Sequence, residues 1–201
     1  MKKYELTAEF IEKWGKKLFR IKALISFGSV EAGKLGGYVE KEDNLAQDGD
    51  AWVYGDAWVC GNARVYGNAR VCGNARVYGN ARVYGNARVY GDAEVYGNAR
   101  VCDDARVCGN AEVCGNADYL LIGRIGSRFS FTTFFKNKDK GITVSCGCFL
   151  GTIAEFRAKV TDTHGNNKHA KMYNLAADMA ELQILGEEHF DKLNTNKSEP
   201  F

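Results

Sequence analysis

The chain has 201 residues, 45% of them hydrophobic, and a formal net charge of +2. That length and apolar content suit one or two small domains with a packed core, and so small a charge excludes the strong global field expected of a nucleic-acid or membrane-surface binder. One proline beside 23 glycines excludes collagen and proline-rich disorder.

The N-terminal MKKYELTAEF lacks the apolar run of a signal peptide. No stretch approaches 18 apolar residues, so no transmembrane helix is expected and the expected location is cytoplasmic. Tyr4–Phe10 and Lys17–Ile25 are rich in β-formers and flank Trp14-Gly15, which predicts a hairpin. Phe27–Gly37 reads as a glycine-containing loop. Gly37–Glu42 (GYVEKE) and Asp43–Asp48 (DNLAQD) are degenerate but keep the register of the repeat that follows. Residues 1–48 are therefore expected to cap a solenoid end.

From Gly49 to Leu120 the chain repeats every six residues, most often as GNARVY. Ala and Val sit two apart and share one face of a short strand, while the residue between them points outward. Gly-Asn or Gly-Asp supplies the corner, since both positions tolerate positive φ. Three such sides make an 18-residue coil, so residues 49–120 predict four coils stacked at ~4.8 Å. Five of the seven cysteines (Cys60, Cys72, Cys102, Cys108, Cys114) occupy the position that otherwise holds Tyr. They read as Tyr replacements in a reducing compartment, not as a disulfide framework.

Residues 18 apart stack on one side of the coil. The first side carries Arg64, Arg82, Arg100 and Asp118; the second carries Trp52, Arg70, Arg88 and Arg106; the third carries Trp58, Arg76, Glu94 and Glu112. The third alternates in sign and needs no partner. The first two stack like charges, which is unfavourable unless screened or paired. Such rows suit phosphates or a polyanion, and Tyr66 with Tyr84 lies beside them as a stacking surface for bases. The other reading is a solvated face whose arginine stems cover apolar surface. Asn62, Asn80, Asn98 and Asn116 form a column expected to be a structural ladder.

After the array, residues 121–193 predict a ββαα module. Arg128–Phe135 and Gly141–Phe149 read as strands. Thr152-Ile-Ala-Glu155 has the capping-box pattern, opening a helix to about Thr163 that stops at His164-Gly165. A second helix is expected from about Lys168 to Phe190, with the apolar stripe Met172, Leu175, Met179, Leu182 and Leu185 packing on the hairpin or on another subunit. Residues 194–201 are expected to be disordered. Arg124, Ser127 and Arg128 suggest a phosphate site, with further donors from Thr132, Thr133 and Thr152. Cys146, Cys148 and His164 are the alternative as a metal site. The strand reading instead puts both thiols on one apolar face with Ile142 and Val144, buried and free.

The hexad pattern resembles the hexapeptide left-handed β-helix, in which an aliphatic residue recurs every six with a small one two before it. Left-handedness is implied by that resemblance; a right-handed triangular solenoid of the bactofilin type is the alternative. The expected fold is thus mainly β: a short triangular solenoid with an N-terminal β-hairpin cap and a C-terminal ββαα module. Arg20–Leu24 (RIKAL), Lys34–Glu40 (KLGGYVE), Asp43–Val53 and the GNARVYG array, with Ile125–Arg128 (IGSR), Thr132–Phe135 (TTFF) and Cys146–Thr152 (CGCFLGT), resemble a family of phage and prophage solenoid proteins. Some hexapeptide-solenoid enzymes need His as base or metal ligand. The array has none; His164, His169 and His189 all follow it. The resemblance implies a homo-oligomer, a trimer or a multiple of it, in the host cytoplasm, without cofactor. A non-enzymatic binding role is expected, toward an anionic nucleotide signal or a host defence protein, with nucleic acid as a further ligand class. The alternatives are a structural assembly protein and an enzyme whose site lies in the C-terminal module.

Overall fold

A six-residue repeat can close on itself only if its interior side chains are small and its corners turn sharply. The computed structural model describes residues 1–189. Phe190 and the tail from Asn194, expected to be helical and disordered respectively, lie outside them. The chain divides into two compact units, Met1–Asn116 and a second from Ala117 onward.

The first unit opens with β1 (Tyr4–Lys13), β2 (Lys16–Ala23) and β3 (Leu35–Val39). Two-residue strands follow: β4 (Trp52–Val53), β5 (Trp58–Val59), β6 (Arg64–Val65), β7 (Arg70–Val71), β8 (Arg76–Val77) and β9 (Arg82–Val83). The series continues with β10 (Arg88–Val89), β11 (Glu94–Val95), β12 (Arg100–Val101), β13 (Arg106–Val107) and β14 (Glu112–Val113). Each pairs in parallel with the strand eighteen residues on, giving three sheets: β3-β5-β8-β11-β14, β4-β7-β10-β13 and β6-β9-β12. The three-sided solenoid of about four coils is therefore present as expected. The degenerate hexads join the coil but not in the expected register: Tyr38 pairs with Trp58 and Leu45 bridges to Val65, each twenty residues on, because the chain from cap to array carries two residues more than an array coil.

Every Ala and Val of the array from Ala51 to Val113 is buried, at 0% exposure. Each buried valine contributes ~1.5 kcal/mol or more, and the repetition sums this along the solenoid axis. The corners need positive φ. Gly61, Gly79 and Gly97 lie at +69°, +69° and +59°, and a Cβ on Gly79 would come 3.0 Å from the amide nitrogen of Gly97. In the coil where glycine is missing, Asp103 takes the same corner at φ +57°, a conformation Asp tolerates better than most residues. The last hexad departs from expectation. Asn116–Asp118 is a 3-10 turn, so Asp118 does not extend the first arginine row.

The cap follows from covering what the first coil would leave exposed. Strands β1 and β2 form the expected hairpin, and β2 pairs antiparallel with β3. Trp14 at its tip has φ +51° and packs edge-on against Trp58 and Tyr78, both with ring centroids 4.9 Å away. Trp52 is fully buried against Tyr4 and Phe27. The outward array position thus switches from Arg to Trp where the N-terminal segment lies over it. Lys3 is 2% exposed and its Nζ donates to the carbonyl oxygens of Asp48 (3.2 Å), Gly49 (3.3 Å) and Ala51 (3.1 Å). The ammonium satisfies carbonyls at the solenoid's open end.

The second unit is an antiparallel sheet, β15 (Tyr119–Ile125), β16 (Ser130–Lys136), β17 (Ile142–Cys146) and β18 (Phe149–Thr152), followed by α1 (Ile153–His164) and α2 (Lys168–Leu185). Four strands stand where two were expected. Gly147 (φ +61°) makes Gly147-Cys148 a two-residue hairpin turn that splits the expected second strand. The capping box is present: Thr152 Oγ1 accepts from the Glu155 amide at 3.2 Å, and Glu155 Oε2 accepts from the Thr152 amide at 2.8 Å. Gly165 ends α1 as expected. Helix α2 ends at Leu185, earlier than expected, because Gly186 (φ +88°) closes it with its N–H donating a hydrogen bond to the Leu182 carbonyl.

The face that α2 buries was not the one expected. Ala170, Tyr173, Ala176, Ala177 and Ala180 pack on the sheet, whereas Met172, Leu175, Met179 and Leu182 are exposed. Two stripes of similar spacing run along this helix, and the small-residue stripe lets its backbone lie close to the sheet. Leu185 alone of the expected stripe is half-buried against the unit's own core. Arg157 of α1 bonds Asp178 (2.8 Å) and the buried Glu181 (2.6 Å) on α2, compensating a carboxylate that would otherwise be costly to desolvate.

Burial is the larger influence on Lys3 and lowers its pKa from 10.5 to about 8, against the opposing charges of Asp48 and Asp50. Between those two values the unfolded chain holds the extra proton, so this group makes stability rise with pH. Denaturant titrations from pH 8 to 10 are expected to show wild type gaining stability relative to Lys3→Met. A difference between the two that stays constant with pH contradicts the assignment.

Candidate functional site

The outward position of each array strand decides the chemistry of each solenoid face. On the third face Arg76, Glu94 and Glu112 stack in order behind Trp58. Arg76 reaches Glu94 at 3.3 Å, the Tyr78 hydroxyl donates to Glu94 at 3.0 Å and the Tyr96 hydroxyl donates to Glu112 at 2.7 Å. Both phenols are held above their ordinary pKa, Tyr78 mainly by burial and Tyr96 mainly by its bond to Glu112. The expected alternation of sign holds only between Arg76 and Glu94; Glu94 and Glu112 are like-charged neighbours, and a tyrosine hydroxyl donates to each.

The first face is different. Arg64, Arg82 and Arg100 are direct neighbours on adjacent parallel strands. Among the described residues none of the three has a carboxylate within ion-pair distance. They share a groove of about 520 Å³ with Lys41, Asp43 and the asparagines 62, 80 and 98. Those asparagines form a ladder, each amide donating to the next at 3.2 Å. Asn116 leaves the ladder and accepts the Arg100 amide instead. Along a second groove beside Arg64 and Arg82 lies Tyr66, whose ring stacks on Tyr84 at 4.9 Å and 2°. Tyr84 is held above its ordinary pKa first by the Cys102 thiol, then by burial, so its ring stays neutral at neutral pH.

On the second face Arg70, Arg88 and Arg106 stack in the same way below the buried Trp52. They line a cleft with Ser29, Tyr54, Cys72 and Tyr90. The arginine columns on both faces are therefore as the spacing dictated, with Asp118 alone missing from the first. All seven cysteines are free thiols.

In the second unit the expected phosphate donors separate. Arg124, Ser127 and Arg128 are exposed around the β15–β16 loop. Thr132 and Thr133 are buried, at 1% and 2% exposure, because both sit inside the paired strand β16; Thr132 Oγ1 donates to Cys146 Sγ at 3.2 Å. Thr152 is committed to its helix cap, with the Glu155 carboxylate 2.9 Å from its hydroxyl, which repels an anion there. These three threonines are therefore not ligand donors.

The cysteines also differ from expectation. Cys146 is half-buried at the end of β17, whereas Cys148 is exposed in the turn. The two do not share an apolar strand face, because Gly147 ends the strand. Ser127, Arg128, Cys146, Cys148 and His164 nevertheless border one cleft. Among the described residues no group of three or more His, Cys, Asp or Glu is placed to hold a metal, the trio Cys146, Cys148 and His164 included. Lys159 and Tyr173, which border the same cleft, were not singled out from sequence. Their helical positions carry no motif, and only packing brings them to the loop.

The array matches the family described as YdcK Beta solenoid repeat over residues 57–73, 63–79, 69–84 and 81–97. The chain is similar to that repeat within the array, in agreement with the parallel coils. Comparison with curated proteins finds no match. Among the described residues no helix is long and apolar enough to cross a membrane.

Arg82 has an arginine on either side, so Arg82→Glu converts two repulsive neighbours into attractive ones, as Glu94 does beside Arg76. We expect the solenoid to gain ~0.5–1 kcal/mol at low salt, read as a higher melting temperature than that of Arg82→Gln. An unchanged or lowered melting temperature counts against the row as an electrostatic liability.

Proposed function

We propose that this protein is a non-enzymatic binding protein that holds an anionic, multiply phosphorylated ligand along the Arg64–Arg82–Arg100 face. The observation that carries the reading is the unpaired row itself. The same array relieves charge with glutamate on its third face and leaves three guanidinium groups uncompensated on its first. Each planar fork matches a phosphate by paired N–H donors, and the stacked Tyr66 and Tyr84 beside the row give a base a surface to lie on. Lys41 adds a fourth cation to the groove, against Asp43 as its acid. A nucleotide fits these features better than a long nucleic acid, because the row spans only three coils. The resemblance to phage solenoid proteins extends the proposal: such a protein would sequester a nucleotide signal of host defence, or cover a host effector protein.

The test is calorimetry with ATP at low and physiological salt. Binding should weaken as salt rises, and Arg64→Gln with Arg82→Gln should raise Kd about tenfold or more. The corresponding change at Arg70 and Arg88 on the second face should leave it within about twofold. Absence of ATP binding at low salt removes the proposal.

Self-association is the second part of this reading. Met172, Leu175, Met179 and Leu182 are 39%, 63%, 57% and 45% exposed, and their steps of three and four make the narrow seam along which helices pair. We propose that a second copy of α2 covers it antiparallel, which sets the Lys168 and Lys171 end of one helix near Glu187 and Glu188 of the other. Light scattering on the purified chain should give an oligomer that Leu175→Lys with Met179→Lys dissociates. A wild-type monomer at tens of micromolar excludes it.

A further inference from the structure

The β15–β16 loop of the second unit is held in costly backbone geometry. Arg124 in the bulged end of β15 and Gly126 and Phe129 in the loop have positive φ, at +55°, +73° and +48°. For the two non-glycine residues this costs ~1–2 kcal/mol each, and such strain persists only where the surroundings impose it. At Gly126 the neighbour is Tyr173. A Cβ on Gly126 would fall 1.9 Å from the Tyr173 hydroxyl oxygen, so the loop backbone lies directly against this ring. The ring is in turn fixed by Phe156 (5.6 Å, edge-on) and by His164 (5.8 Å, stacked).

This packing opens a cleft of about 220 Å³. Ser127 and Arg128 border it from the loop, and Lys159 and His164 from α1, while Phe149, Phe156 and Tyr173 give it aromatic walls. Among the described residues no acidic side chain borders it. The one carboxylate paired with Lys159 is that of Asp162 at 2.9 Å, in a pair exposed at 63% and 71%, and so exposed a pair holds its ammonium only weakly. Cations brought from two elements to the mouth of an aromatic-walled cleft are the arrangement that binds a ring bearing an anionic group. Burial, with the adjacent Cys146, pushes the Tyr173 hydroxyl up to about 12, so it stays protonated at neutral pH and supplies no base. That favours binding over proton transfer.

We infer that this cleft is a second binding site, for a single-ring phosphate monoester, with the phosphate held by Arg128, Lys159 and Ser127 and the ring between the aromatic walls. It does not depend on the arginine row of the solenoid. Its volume of about 220 Å³ accommodates a ring and one phosphate.

Cys148 provides a local reporter, because its exposed thiol borders this cleft, whereas the exposed Cys114 lies in the first unit. The experiment is alkylation of the full chain by iodoacetamide, read by mass spectrometry at each cysteine, with phenyl phosphate, inorganic phosphate or phenol added. The expected result is that phenyl phosphate slows labelling of Cys148 at least threefold at concentrations where phosphate and phenol do not, with Cys114 unaffected. Arg128→Gln and Lys159→Gln should each abolish that protection, while Arg82→Glu should retain it. Equal labelling with and without phenyl phosphate overturns the inference, as does protection that survives both cleft substitutions. Protection by inorganic phosphate alone overturns the ring-binding part. Retention in Arg82→Glu together with loss of ATP binding separates this site from the solenoid groove.

Discussion

Stacking of like upon like is the constraint from which the solenoid unit is built. Each strand pairs in register with the one eighteen residues on, so every outward side chain lies over its own counterpart at ~4.8 Å. For Ala and Val inside the coil this is favourable without qualification, and all are fully buried. For Asn it gives amide ladders, because the amide is both donor and acceptor. For Tyr it gives parallel stacks at 4.9 and 5.0 Å. For Arg it is repulsive, and the faces differ in whether the sequence relieves it.

The same constraint explains the cap. A translational repeat has no intrinsic end, so its first coil exposes apolar side chains and unpaired carbonyls. The N-terminal segment meets both needs. Trp14, Tyr4 and Phe27 pack against the tryptophans that replace Arg in the first coil. The Lys3 ammonium takes three carbonyls, at the cost of desolvating a charge. The cap is thus specific chemistry fitted to one end, whereas the array repeats one solution.

The second unit is governed by different physics. Its sheet is antiparallel and not repetitive, so individual residues carry its geometry: Gly147 at the hairpin turn, Thr152 and Glu155 at the helix start, Arg157 beside a buried Glu181, and Tyr173 beneath a strained loop. Local signals placed the helix start and its glycine stop correctly, since a capping box and a C-terminal glycine act within a few residues. The fate of Thr132, Thr133 and Cys148 was not readable, because each depends on where a strand ends and which neighbour pairs with it.

The hexad period by itself determined the coil, its in-register stacking, the buried Ala and Val and the identity of each outward column. This was possible because each interaction recurs at a fixed separation of eighteen residues. It also placed Arg64, Arg82 and Arg100 in one column and Arg76, Glu94 and Glu112 in another. Tertiary structure alone decided which stripe of α2 is buried. Two stripes of equal period compete there, and only the close fit of Ala177, Ala180 and Tyr173 to the sheet separates them. It alone also gathered Ser127, Arg128, Lys159 and His164 around one cleft, since these residues come from a loop and a helix brought together by packing, a relation that no spacing along the chain encodes.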